Sequence, residues 1–163
     1  MFKYIMLFCG FLLVGCGFQP LYVAHENTLQ QTAAVQIEPI SGQGGYQAGL
    51  ILQKRLNPKS IQVPKKYKLI VDIHQPTYSN QSIRLDNFAT LEKMMLKATY
   101  QLKDIQKNQV VISSSVDSNG MYNLVRDPYA TVVAKDKLYD NLVRAMADDI
   151  ATHILSYFKG VSP

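Results

Sequence analysis

Alternation of apolar and polar residues with a period of two dominates the middle of the chain. From Lys65 to His74, Tyr67, Leu69, Val71 and Ile73 share one face, while Lys66, Lys68, Ile70, Asp72 and His74 share the other. That pattern predicts a half-buried strand. Thr90 to Ile105 behaves likewise, with Met94, Leu96, Ala98, Tyr100 and Leu102 facing inward and Lys93, Met95, Lys97, Thr99, Gln101 and Lys103 outward. After the Lys107-Asn108 turn, Val110, Ile112, Ser114 and Val116 continue as a further strand, and Asp117-Ser118-Asn119-Gly120 reads as a turn signal. Upstream, Val35 and Ile37 alternate with Gln36 and Glu38 ahead of Pro39 and the glycine-rich stretch Ser41 to Gly45, which is the pattern of a first strand.

Two segments have helical spacing instead. Tyr46 to Leu56 places Tyr46, Leu50, Ile51 and Leu56 on one face before Asn57-Pro58 stops it. Near the C-terminus, Leu138, Leu142, Ala145, Met146, Asp149, Ile150, His153, Ile154, Tyr157 and Phe158 line one side, with Lys137, Asn141, Arg144, Asp148 and Thr152 opposite and Gly160 as the stop. The order β-α-β-β-β-α predicts an α+β, two-layer sandwich: one mixed four-stranded sheet with two helices on one face. The half-polar strands agree, because a sheet covered on both faces would read as continuous apolar runs.

The N-terminus follows different rules. Lys3 precedes the apolar run Tyr4 to Val14, which ends at Gly15-Cys16: a charged start, a hydrophobic stretch and a small-residue cleavage site. The run is far short of the ~20 residues that cross a bilayer. Leu13-Val14-Gly15-Cys16 resembles the bacterial lipobox, which predicts cleavage before a diacylated Cys16. Residues 1–15 are then a signal peptide, 16–33 a lipidated tether and 34–163 a single α+β domain. Cys9 leaves with the signal and Cys16 becomes a thioether, so no disulfide forms within the mature chain. Gly17 after the cysteine fits, by resemblance to bacterial lipoproteins, retention at the periplasmic side of the outer membrane.

With 163 residues, 47% of them hydrophobic and 18% charged, the chain makes one folded domain with ordinary globular usage. Cleavage leaves 148 residues and a formal charge of +4, without the run of like charges that marks a nucleic-acid tail.

Little in the sequence nominates chemistry. Gly42 and Gly44 follow a strand and open a helix, but Gln47 occupies the third position of a dinucleotide-binding loop and no second βαβ unit exists. His25, His74 and His153 are too widely spaced for a metal-ligand set. Ser113 to Ser115 lie in a strand and not in a glycine-flanked elbow, and adjacent Asp148 and Asp149 point about 100° apart on a helix. Neither an enzyme nor a cofactor is expected. Surface cations remain: Lys65, Lys66 and Lys68, then Arg84, then Lys93, Lys97 and Lys103 along one strand. The plain interpretation is a solvated face whose lysines discourage edge-to-edge aggregation. The functional one is a phosphate-binding patch at Arg84, Lys93 and Lys97, where the Arg84 guanidinium offers two parallel donors. Export excludes nucleic acid and leaves anionic lipid.

The run Leu13-Val14-Gly15-Cys16-Gly17-Phe18-Gln19-Pro20-Leu21-Tyr22 resembles the LptE family of lipopolysaccharide-assembly lipoproteins, in its shorter alphaproteobacterial form. Asp127-Pro128-Tyr129-Ala130-Thr131 ahead of a final helix containing Met146-Ala147-Asp148-Asp149-Ile150 fits the same family. The resemblance implies a non-enzymatic subunit that plugs the lumen of the outer-membrane β-barrel LptD and helps insert lipopolysaccharide into the outer leaflet. Some members bind lipopolysaccharide through basic residues on the sheet; here Arg84, Lys93 and Lys97 are chosen from charge. The alternative is a free periplasmic lipid- or ligand-binding lipoprotein, which requires an apolar pocket.

Overall fold

The computed structural model describes residues 26–83 and 89–160. Cys16 and Arg84 lie outside them. In chain order the elements are α1 (Glu26–Ala33), β1 (Val35–Ile37), α2 (Gly45–Leu56), β2 (Tyr67–Ile73), β3 (Thr77–Ile83), β4 (Ala89–Asp104), β5 (Gln109–Asn123) and α3 (Pro128–Phe158). The class is α+β as predicted, with one mixed sheet, but the described residues hold five strands and three helices where four and two are expected.

The extra strand comes from a broken lane. β2 pairs antiparallel with the second half of β4, from Tyr67↔Asp104 to Ile73↔Ala98. Pro76 has no N–H to donate, so pairing stops there. It resumes on the same edge of β4 as β3, from Thr77↔Met95. Thr77–Ile83 has too few apolar residues to announce a strand; β4's unpaired edge supplies the reason it forms. β5 runs along the other edge of β4 from Asp104↔Gln109 to Leu91↔Asn123, and β1 adds parallel to β2.

Asn119-Gly120 therefore does not turn the chain. Gly120 stands opposite Met94 within the ladder. A Cβ there would lie 2.6 Å from Leu138 Cδ1, so the residue is small because α3 packs directly on it. The extra helix, α1, extends the packed body eight residues ahead of Ala34, with Thr28, Thr32 and Ala33 buried.

The core lies between the sheet's inner face and the helices. Met94, Leu96, Ala98, Tyr100 and Leu102 are all buried, as the alternation predicts, with Leu69 and Val71 beside them. Burying each of the Leu, Val and Met side chains contributes about 1.5–3 kcal/mol, so β4 with its neighbour β2 supplies much of the driving force. α3 starts where its residues dictate: Asp127 is the N-cap, its carboxylate accepting the Tyr129 N–H at 3.0 Å, and Pro128 follows at the first turn. Gly160, at φ 69°, ends it. Its buried stripe is Tyr139, Leu142, Val143, Met146, Ala147, Ile150, Ala151 and Ile154, rotated from the predicted one so that Ala145 and Asp149 are exposed.

α2 is turned further. Ala48, Leu52 and Leu56 face the core, whereas Tyr46 is 81% and Leu50 49% exposed. Two glycines fix that rotation. Gly44 has φ 77°, and a Cβ on it would lie 2.7 Å from Val143 Cγ2; one on Gly45 would lie 2.2 Å from the Ile40 carbonyl oxygen. The glycine-rich connection is thus a close approach between the 38–44 loop, α2 and α3.

Candidate functional site

The helices cover one face of the sheet and leave the other open. Along β4 the open face carries, in order, Lys93, Met95, Lys97, Thr99, Gln101 and Lys103. Register supplies each with neighbours. Lys93 lies between Ser79 and Met121, Lys97 opposite Asp117, Thr99 between Asp72 and Ser115, Gln101 between Ile70 and Ser113, and Lys103 between Lys68 and Val110. The centre is a shallow depression of about 580 Å³ lined by Ile70, Asp72, Thr99, Gln101 and Ser113 to Ser115. His74 closes one side through a 3.4 Å contact between Nε2 and Thr99 Oγ1.

Of the three cations chosen from the sequence, Lys93 and Lys97 share this face. Four residues of strand separate them, roughly 13 Å at 3.3 Å per residue, so they would meet different phosphates. Their surroundings differ. Asp117 stands directly across from Lys97, an opposite-charge pair of the kind that contributes about 0.2–1 kcal/mol, whereas Lys93 has Ser79 and Met121. The turn expected at 117–120 conceals this pair, which exists because Asp117 is a ladder residue opposite Lys97. Arg84 and Cys16, the residue expected to carry the lipid, fall outside the described residues.

Hydroxyl chemistry elsewhere serves the fold. Tyr100, buried in the core, is hydrogen-bonded to His153 Nδ1 at 2.8 Å; burial raises its pKa, partly opposed by a hydrogen bond with Ser114. Tyr122 is raised further, chiefly by burial and then by the hydrogen bond it donates to the Glu92 carboxylate. Tyr139 donates to the Gln43 carbonyl, and burial raises its pKa too. Asp148 is held by Arg55, Nε to Oδ1 at 2.7 Å and Nη2 to Oδ2 at 3.1 Å. Among the described residues no cluster of three His, Cys, Asp or Glu could hold a metal ion, and no helix is long and apolar enough to cross a membrane.

A second concavity was not visible in the sequence. Between α2 and the edge strand β1 runs an open groove of about 420 Å³, walled by Ile37, Pro39, Ile40, Tyr46 and Leu50, with Gln53 and Lys65 among its polar groups. It exists because the glycine pair turns Tyr46 and Leu50 outward.

The architecture, a mixed sheet backed by helices on one face, is that of a group of solved lipoproteins. A candidate lipoprotein of Caulobacter crescentus aligns with a TM-score of 0.60 at 19% identity, over 82% of this chain and 96% of that one. The minor lipoprotein of Acinetobacter baumannii gives 0.57 at 16%, over 76% and 90%. Rare lipoprotein B of Shewanella oneidensis gives 0.56 at 12%, over 77% and 95%. In sequence, the chain is 24% identical over 157 residues to the uncharacterised protein RP188 of Rickettsia prowazekii, spanning 96% of this chain and 97% of that protein. No family model matches.

Proposed function

We propose that this chain is an outer-membrane lipoprotein, anchored through Cys16 on the periplasmic side, that plugs an LptD-type β-barrel and takes part in inserting lipopolysaccharide into the outer leaflet. The role is non-catalytic. The observation that carries the reading is the uncovered sheet face, where Thr99, Gln101, Ser113 and Ser115 flank the lysines. A barrel lumen is polar, so the hydroxyl, amide and ammonium groups of such a face can exchange hydrogen bonds with its wall. The fold shared with lipoproteins and the LptE-like run from Leu13 to Tyr22 support it. Lys93 and Lys97, with Arg84, are the proposed contacts to lipopolysaccharide phosphates.

Affinity purification of the acylated protein from detergent-solubilised outer membrane, washed at high salt, tests the reading. A large barrel recovered in stoichiometric amount is the expected result; recovery of the lipoprotein alone would sink it. The groove beside β1 favours a second reading, a free periplasmic lipid- or ligand-binding lipoprotein, since its volume falls in the range of small-molecule sites. Organic extraction of the purified protein followed by mass spectrometry separates the two, because the second requires a bound amphiphile without a barrel.

A further inference from the structure

The net charge of the domain sits at one end. There β2 begins, β4 ends, the β4–β5 turn closes and α3 stops. The Ile105 N–H donates to the Lys66 carbonyl at 2.9 Å, Lys68 stands opposite Lys103, and Lys107 lies in the turn between Asp104 and Gln109. Tyr67 packs edge-on against Phe158 with ring centroids 5.0 Å apart, which brings Lys159 to the same end. The Lys65 ammonium donates to the Ala33 and Val35 carbonyls at 2.8 and 3.3 Å. Against these six lysines stand two carboxylates, Glu38 and Asp104. The other described residues carry nine basic and nine acidic side chains, which cancel, so the +4 of the described chain resides here.

Internal partners account for only part of that charge. Glu38 binds Lys68 at 3.2 Å, and the Asp104 carboxylate accepts the Gln106 and Lys107 backbone N–H groups. Lys65 is held by its two carbonyls. Lys66, Lys103, Lys107 and Lys159 are left for an external anion. Lys68 and Lys103 face each other directly, a like-charge pair that costs stability and that Glu38 offsets on the Lys68 side. Exposed Ile105, Val110 and Tyr157 lie among these lysines.

We propose that this end docks on an anionic phospholipid bilayer, with Lys66, Lys103, Lys107 and Lys159 toward headgroup phosphates and Ile105, Val110 and Tyr157 at the boundary with the acyl chains. Cations with aliphatic stems beside a tyrosine and aliphatic side chains are the composition of a surface that lies at such an interface. Charge complementarity selects the partner, since the remainder of the described domain has no net charge to attract it. Proximity comes from the anchor and so rests on that part of the reading above: Cys16 precedes Glu26 by ten residues, which span at most about 36 Å.

The test uses the full acylated lipoprotein, reconstituted through Cys16 into vesicles of phosphatidylcholine alone or mixed with phosphatidylglycerol. A brief pulse of amine acetylation is read by mass spectrometry. Lys103 and Lys107 should react several-fold more slowly in the anionic vesicles, with the protection lost at high salt, while Lys135 and Lys137 on α3 keep one rate. In the Lys103→Glu/Lys107→Glu variant, Lys66 and Lys159 should lose their protection with the far-ultraviolet circular dichroism unchanged. Equal rates in both vesicles, or protection produced only by lipopolysaccharide micelles, would overturn the proposal. The same variant should still recover the barrel; if the unmutated protein recovers no barrel while its lysines stay protected in the anionic vesicles, the plug reading is refuted and the docking face stands.

Discussion

Two glycines four residues apart in α2 should respond to alanine in opposite directions. At Gly45 an added Cβ falls 2.2 Å from the Ile40 carbonyl oxygen and 2.8 Å from its carbon. Both atoms are backbone, so no rotamer change relieves the contact; α2 or the 38–44 loop must move, and the Gly44 contact with Val143 resists it. Overpacking of this kind costs about 1–3 kcal/mol. At Gly49 a Cβ meets nothing within 4 Å, and alanine there removes the entropic penalty of a helical glycine, a gain of about 0.5–1 kcal/mol. Equilibrium urea unfolding of the purified protein, followed by circular dichroism at 222 nm, measures both. Gly45→Ala should lower the midpoint and Gly49→Ala raise it, with unchanged m-values. Thermal midpoints should follow at about 2–4 °C per kcal/mol. A Gly45→Ala midpoint at or above wild type would refute the close approach on which the orientation of α2 rests.

Cys16→Ala should leave an unprocessed precursor that migrates above the mature protein on a gel, and full processing at another position would remove the lipobox assignment. Reversing Lys93 to Glu should weaken lipopolysaccharide binding more than reversing Lys97, because Asp117 already offsets Lys97; titration at low salt reads the difference, and equal losses would contradict the register argument. Four tyrosines, three buried and Tyr67 half-buried, give a pH dependence of known sign. Tyr67, Tyr100, Tyr122 and Tyr139 all have raised pKa values in the folded state, so their contribution is complete below the ordinary tyrosine value near 10 and falls as pH rises through the folded values. Stability should therefore decline above pH 10, and Tyr122→Phe should flatten that decline; a curve of unchanged slope would show that Tyr122 does not carry it.

How much of this was legible in the sequence depended on the element. The inward set of β4 was read without error because a period of two has only two possible faces. A helix offers more rotations. In α2, Tyr46 and Leu50 outweigh Ala48 by hydrophobicity, yet Ala48 goes inside with Leu52 and Leu56, since Gly44 against Val143 and Gly45 against the Ile40 carbonyl leave no room for bulk at the start of the helix. In α3, Tyr139 and the alanines Ala147 and Ala151 are buried for a related reason: tight packing selects size, which a hydropathy stripe does not rank. The strand at Thr77–Ile83 was illegible because the edge of β4, not its own composition, calls for it. Lys93 and Lys97 were correctly placed on the open face, but Asp117 beside Lys97 and the Lys68–Lys103 opposition depend on strand pairing, which no single segment encodes.

The long β4–β5 hairpin also bears on how the chain assembles in time. Its two strands are joined by a turn of four residues in which the Asp104 carboxylate accepts two N–H groups and Asn108 adopts φ 51°. Closing it is entropically cheap, and its pairs zip outward from a short loop. By contrast, Val35 meets Tyr67 only across the whole of α2, and Arg55 meets Asp148 at a separation of 93 residues. The early elements α1, β1 and α2 find β2 in the first half of the chain, but the core they pack into is completed only by β4, β5 and α3. Amides of Thr99 to Leu102 and Ile112 to Ser115 should gain protection before those of Val35 to Ile37 in pulse-labelled refolding. A chain with this topology cannot complete its core before β5 and α3 exist, and a polypeptide without a closed core can still be threaded across a membrane.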